Sequence, residues 1–195
     1  MSQAERDKWN ERYRSGSYEG RDHPTALLAE WASRLRAGRA LDVACGAGRN
    51  ALFLAAAGHE VDALDIAAVG LERGRDTAAK RQLDLRWIEA DLDADPDEAL
   101  PHTSYDLIVW VRYINAGLMP HLLSRLSDGG HLLCEQHLVT TEDVVGPRNP
   151  AFRLQPNELL HCAAQLQVLH YFEGLVVDPD GRPAALAQLV ARRTP

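Results

Sequence analysis

Apolar positions along the chain fall into two alternating kinds of run. Residues 40–44 (ALDVA), 60–66 (EVDALDI), 84–90 (DLRWIEA), 105–111 (YDLIVWV) and 130–135 (GHLLCE) are short β-prone segments. Between them, 51–57, 69–81 and 119–127 carry apolar residues at helical spacing, and Gly58 stops the first. The 105–111 run is nearly continuously apolar, as in a strand covered on both faces. Residues 93–102 are acidic and contain proline, which reads as a loop or a weak helix. Alternation of strand and helix with short links predicts a parallel sheet with helices on both faces. The end of the chain differs. Residues 138–155 are irregular, 156–165 open with a proline suited to a first helical turn, and 167–177 and 184–192 are β-prone runs separated by DPDGRP. Asp180-Gly181 within that tract is a turn signal and predicts a β-hairpin. Upstream, 4–14 reads as a helix with Trp9 and Tyr13 one turn apart, 15–24 as a loop, and 25–36 as a helix stopped by Gly38. The expectation is an α/β fold: a Rossmann-like, doubly wound, mostly parallel seven-stranded sheet with a C-terminal antiparallel hairpin. Residues 1–24 form an N-terminal helix and lid-like segment, and 25–195 the domain itself.

Composition narrows the function classes. With 195 residues, 46% hydrophobic and 25% charged, the chain suits one ordinary globular domain. A formal net charge of −7 makes it a poor candidate for binding nucleic acid, which relies on clustered Lys and Arg. Cys45, Cys134 and Cys162 are too few and too scattered for a disulfide framework or a zinc set, so no metal is expected. The charged N-terminus has no signal-peptide core, and no run approaches a membrane span. These features predict a cytoplasmic protein without a membrane partner, a monomer or a homodimer.

The segment 41–50, LDVACGAGRN, carries the strongest chemical signal. It follows a predicted strand and opens a helix, and its glycines let a ligand approach the backbone. Asp65 follows Gly48 by 17 positions, where a carboxylate takes ribose hydroxyls. Asp91, after the third strand, is placed to accept from an adenine amino group. Asp42 beneath the turn would repel a pyrophosphate and suits a ligand bearing an ammonium or sulfonium. This speaks against a dinucleotide.

LDVACGAGRN, the Asp65 strand end, Ala-Asp-Leu at 90–92 and SDGGHLL at 127–133 resemble the class I S-adenosylmethionine (SAM)-dependent methyltransferases, over roughly residues 25–193. The Gly-Arg-Asn ending and the N-terminal WNERY are similar to small bacterial members of the tellurite-resistance and thiopurine type. The resemblance implies SAM as cofactor and S-adenosylhomocysteine (SAH) as product. It also implies roles for residues: Asp42 and the Gly46–Gly48 turn on the methionine part, Asp65 on the ribose, Asp91 with Leu92 on the adenine. Ala44, Arg49, Asn50, Ile66 and Val111 are further cofactor contacts by the same resemblance. Tyr13 and His23 close over the cofactor.

The acceptor side is less legible. Strand four ends in Val111-Arg112-Tyr113, and Arg112 and Tyr113 are candidate acceptor contacts. No Asn/Asp-Pro-Pro-aromatic motif and no Pro-Cys pair stands there, which excludes the signatures of adenine amino methylation and of a cysteine nucleophile. His137, after strand five, is a candidate general base on its ordinary pKa of about 6.5. Arg148, Phe152 and Arg153 lie on a Pro-rich, lid-like stretch, and with Arg112 they would form an anion-binding pocket. The expected activity is methyl transfer to a small-molecule acceptor by in-line displacement. Two alternatives stand beside it: an NAD-dependent oxidoreductase, and a non-catalytic SAM- or SAH-binding protein.

Overall fold

The computed structural model describes residues 3–35, 37–115 and 117–194. Strands β1 (Arg39–Val43), β2 (Glu60–Asp65), β3 (Arg86–Glu89), β4 (Tyr105–Val111), β5 (Leu126–His137), β6 (Gln167–Val177) and β7 (Pro183–Arg192) form one sheet in the order β3-β2-β1-β4-β5-β7-β6. The first five are parallel. β7 runs antiparallel between β5 and β6, so the expected hairpin closes the sheet with its second strand inside. Strand order reverses between β1 and β4. At such a reversal the connections leave in opposite directions and open a crevice past the carboxyl ends of the strands.

The helices are α1 (Gln3–Arg14), α2 (Ala26–Trp31), α3 (Arg49–Ala56), α4 (Ala68–Arg81), α5 (Pro96–Ala99), α6 (Leu118–Arg125) and α7 (Glu158–Cys162). Two apolar clusters lie on opposite faces of the sheet. One joins Leu27, Leu28 and Trp31 of α2 and Leu54 of α3 to Val109 and Leu133. The other joins Leu118 and Leu122 of α6 and Leu159 of α7 to Ile108, Trp110 and Leu189. β4 contributes alternate side chains to both, and its last five residues are buried. This is the physical reason for its continuously apolar sequence.

Element boundaries moved where local chemistry overrides periodicity. The helix expected over 25–36 is capped by the Thr25 hydroxyl, which accepts from Leu28 N at 3.4 Å. It tightens into a 3-10 turn after Trp31, and its expected end at Arg36 lies outside the described residues. The helix expected over 119–127 stops at Arg125, because Leu126 already pairs with Tyr105 across a β-bulge. Of 156–165 only Glu158–Cys162 is helical: Asn157 before it has φ +64°, and the Glu158 carboxylate is taken by Gln155 N at 2.8 Å. The uncertain 93–102 stretch contains α5, whose first amides are capped by the Asp95 carboxylate.

Candidate active site

The glycine turn lies at the strand-order reversal. Cys45 N extends the parallel ladder by donating to Leu64 O at 2.9 Å, and Gly48 N closes the turn on Cys45 O at 2.9 Å. Gly46 (φ +61°) and Gly48 (φ +78°) both lie in the left-handed region. A Cβ on Gly48 would stand 2.5 Å from the Trp87 ring, and one on Gly46 would stand 2.2 Å from Tyr13 Oη. The turn therefore carries no side chain at these two positions, and Tyr13 of α1 and Trp87 of β3 pack directly on its backbone. Ala44 and Arg112, the residues directly after β1 and β4, are also left-handed, at φ +54° and +57°. Two non-glycine residues in this region flanking one crevice mark a strained, over-determined site.

Asp42 is buried below the turn, where one carboxylate oxygen accepts from Ala51 N, three residues into α3, at 2.9 Å. Burial lifts its pKa to about 7, against the pull of that amide and of Arg49. Asp65 turns back on the same turn. One oxygen accepts from Gly46 N and the other from Ala67 N, both at 2.8 Å, and burial raises its pKa. Each oxygen keeps a second lone pair for a hydroxyl donor. Ile66 beside it is buried. Asn50 is also buried; its Oδ1 takes Thr25 N at 2.9 Å and ties α2 to α3, a structural contact that spacing did not reveal.

Helix α1 covers this crevice. Asn10 Oδ1 accepts from Val69 N at 3.0 Å, and Arg73 donates to Tyr13 O at 3.2 Å. Arg6 pairs with Glu89 at the end of β3. Tyr13 is buried against Gly46 and Gly70, and its pKa is pushed up by burial and by the Asp65 charge. Trp9 and Tyr13 both contact Tyr18, with ring centroids 6.5 and 5.7 Å apart. His23 is exposed, and its carbonyl accepts a long bond from Arg49 at 3.4 Å.

Beyond β3, Asp91 accepts from Asp93 N at 3.0 Å, and Leu92 is buried. Tyr113, expected on the acceptor side, hydrogen-bonds Asp93 instead. Asn115 joins it, donating to Asp93 at 2.8 Å and to Leu92 O at 3.3 Å. The end of β4 is thus pinned to the loop after β3, which the sequence pattern did not show. Val111 is buried.

Arg112 is not a free anion receptor. It donates to Asp178 from two nitrogens, Nη1 at 2.7 Å, and to Glu135 from Nε at 3.2 Å and Nη2 at 3.1 Å. Burial pulls its pKa down, but these two carboxylates outweigh it and raise it; Arg112 in turn holds Asp178 below the carboxylate range. Glu135 also accepts from Gln188 at 2.8 Å. A cavity of about 140 Å³ opens against Glu135, Asp178 and Gln188 beside α2.

The general-base expectation for His137 rested on an ordinary imidazole. Here the ring is buried against Gly146 and its Nδ1 has no partner. Burial, with the Arg112 and Arg153 charges, lowers its pKa to about 4. So weak a base is poorly matched to proton removal near neutral pH. Arg153 is committed to backbone, donating to Pro147 O and Leu138 O at 2.8 Å each. Arg148 and Phe152 are exposed. The four residues therefore do not assemble an open anion pocket. No metal-binding cluster of His, Cys, Asp or Glu occurs among the described residues.

A family model described as a methyltransferase domain matches residues 40–129. Hemagglutinin 1 of Eikenella corrodens is 31% identical over 159 residues, 76% of this chain and 51% of that protein. The probable SAM-dependent methyltransferase TehB of Haemophilus influenzae is 26% identical over 144 residues, 70% of this chain and 49% of TehB. The chain spans about half the length of these curated relatives. The solved structure of TehB aligns over 95% of this chain and 67% of its own, at 24% identity and a TM-score of 0.74. The Burkholderia thailandensis 1,6-didemethyltoxoflavin-N1-methyltransferase, solved with its substrate and SAH, aligns over 97% of this chain and 87% of its own, at 17% identity and a TM-score of 0.70. The glycine turn and the buried carboxylates Asp42 and Asp65 fit SAM, the cofactor of the methyltransferases that the chain resembles. By its fold, its turn and these matches, the chain is similar to SAM-dependent methyltransferases, TehB among them.

Proposed function

We propose that the protein binds SAM across the β1/β4 crevice and transfers its methyl group to a small-molecule acceptor by in-line displacement. The observation that carries this reading is the glycine turn between Cys45 and Gly48, with Asp65 bonded back to Gly46 N. Asp65 is assigned to the ribose diol, Asp91 and Leu92 to the adenine, and Asp42, Ala44 and the Gly46–Gly48 turn to the methionine part. Ile66, Asn50 and Val111 shape that pocket, and Tyr13 and His23 close it. When bound, the cofactor supplies a methyl group already activated on a positive sulfur. The chain's task is then to exclude water and orient the acceptor. The low pKa of His137 and the committed Arg112 agree with an acceptor that needs no strong base from the protein. The net charge of −7 favours a small acceptor over nucleic acid. Division of the chain into a closing segment, 1–24, and the cofactor domain, 25–195, belongs to the same reading. No helix among the described residues is long and apolar enough to cross a membrane.

Calorimetry with SAM, SAH and NAD tests it. SAM and SAH are expected to bind and NAD not to; binding of NAD alone would overturn the assignment. Tight SAH binding with no transfer across a broad acceptor panel would leave a cofactor-binding protein without catalysis. Asp65→Ala is expected to weaken SAH affinity more than tenfold, and retained affinity would remove the ribose role.

A further inference from the structure

The cavity of about 140 Å³ beside α2 is lined by none of the residues assigned to the cofactor. Its apolar lining comes from Ala26 and Leu27 of α2 and from Val176 and Val177 at the end of β6. Its polar lining is three carboxylates, Glu30, Glu135 and Asp178, and the carboxamide of Gln188. No Lys, Arg or His lines it among the described residues. An apolar cavity of about 150 Å³ holds one benzene molecule, so this space suits a single ring.

The hydrogen bonds around the cavity decide what such a ring must carry. Gln188 spends Nε2 on Glu135 Oε2 at 2.8 Å, which leaves its carbonyl oxygen as the open end. Glu135 accepts three bonds: Arg112 Nε and Nη2 on Oε1, and Gln188 on Oε2. A carboxylate has about four acceptor sites, so Oε2 keeps one. Glu135 is only 2% exposed, and an unmet acceptor at that depth is costly. Asp178 is held by Arg112 through both oxygens. Arg112 thus balances two of the carboxylates without lining the space, and Glu30 is exposed. The side chains left open toward the cavity are acceptors, and a ligand that fits must bring the donors. Position adds a second argument. Asp178 also lines the small cleft that holds His23 and Arg49, and Arg49 follows directly on Gly48. The cavity therefore adjoins the crevice in which the cofactor is assigned to lie.

We propose that this cavity holds the acceptor and selects a single ring carrying N–H donors, such as an aniline, an amidine or an N–H heterocycle. The ring lies against the four apolar side chains, and its N–H groups meet Glu135 Oε2 and Gln188 Oε1. The inference rests on the methyltransferase reading. It replaces the anion pocket expected at Arg112, Arg148 and Arg153 with a pocket of the opposite hydrogen-bonding sense.

The test titrates benzamidine and benzoate by calorimetry into the SAH-saturated protein and into the protein alone. The two probes share one ring and differ in whether they donate or accept. Benzamidine is expected to bind at least tenfold tighter than benzoate. Ala26→Trp and Val177→Trp narrow the cavity from α2 and from β6. At least one of them should weaken benzamidine tenfold while SAH affinity stays within about twofold. Glu135→Gln should lower the preference for benzamidine over benzoate severalfold, and if this variant does not fold, the two tryptophan variants still decide. Benzoate bound as tightly as benzamidine, or no detectable binding of benzamidine, would overturn the pocket. So would benzamidine affinity unchanged in both tryptophan variants, since the ring would then sit elsewhere. Failure of the wild type to bind SAH would instead overturn the methyltransferase reading, and the titrations without SAH would still report on the cavity.

Discussion

At the scale of single residues, Gly48 shows how a readable motif hides an unreadable contact. The sequence marks Gly48 as half of a ligand-facing turn, and its φ of +78° agrees with the need for glycine. What no spacing rule predicts is that Trp87, 39 positions away, packs edge-on to it and to Gly74, at 2.5 and 2.4 Å from the Cβ positions those residues lack. Gly48→Ala therefore meets two costs: about 1–2 kcal/mol for a left-handed alanine, and displacement of an indole. A destabilisation of roughly 2–4 kcal/mol is expected in chemical denaturation. If the ring clash is real, Gly48→Ala combined with Trp87→Leu is less destabilised than the two single effects together, since contacting sites couple. Strict additivity would show that the backbone alone sets the cost. Arg112 makes the same point about legibility. Its type and strand-end position were readable, but its state was not, because Glu135 and Asp178, at 23 and 66 positions away, reach it only through the sheet order.

At the scale of elements, the sheet was legible because buried strands and their turns carry their own signal. β4 and β6 have the bounds that the pattern predicts, and the other strands shift by a few residues. Placement of α1 was not legible. Its sequence is polar and charged, and what docks it is a set of specific bonds: Asn10 to Val69 N, Arg73 to Tyr13 O, Arg6 to Glu89. Such long-range polar pairs leave no periodicity. The docking puts Tyr13 Oη 2.2 Å from where a Cβ on Gly46 would stand, so the ring lies over the turn assigned to the cofactor. A ligand entering there must displace the ring or slide beneath it. Tyr13→Ala is accordingly expected to raise the association rate of SAH severalfold, followed by the tryptophan fluorescence of Trp9 and Trp87. An unchanged association rate would mean that the ring does not obstruct entry. The Pro-rich 144–156 stretch reads as a lid from its sequence. Arg153 instead staples it to Pro147 O and Leu138 O, and a backbone acceptor cannot be read from side-chain pattern.

At the scale of the whole molecule, buried ionisable groups near the site set opposing pH dependences. Asp42 titrates near 7 in the fold against 3.8 ordinarily. Between those values the folded state holds a proton that the unfolded state has lost, so this group makes stability fall as pH rises from about 4 to 7. Asp65, whose pKa burial also raises, acts with the same sign. His137 runs the other way. Its folded pKa of about 4 lies below the ordinary 6.5, so the unfolded state binds the extra proton and stability rises with pH across that window. At about 1.4 kcal/mol per pKa unit the Asp42 and His137 effects are on the order of 4 and 3 kcal/mol, large but nearly cancelling. The slope of the wild type is the sum of these two effects and of those from Asp65, His59 and His131, whose pKa values burial also shifts. Each neutral variant removes one contribution from that sum. Relative to the wild type, Asp42→Asn, which keeps an oxygen for Ala51 N, should gain stability as pH rises through this window. Relative to the wild type, His137→Asn should lose it. Urea denaturation at several pH values, with the three proteins compared at each, reads these slopes directly. If the three curves run parallel, neither group is perturbed in the fold. The buried Asp42 is then an ordinary carboxylate, charged throughout this window. If the slopes diverge as stated, the fold disfavours the Asp42 anion below about pH 7, and a cationic ligand seated on the glycine turn would favour the charged form and release that proton.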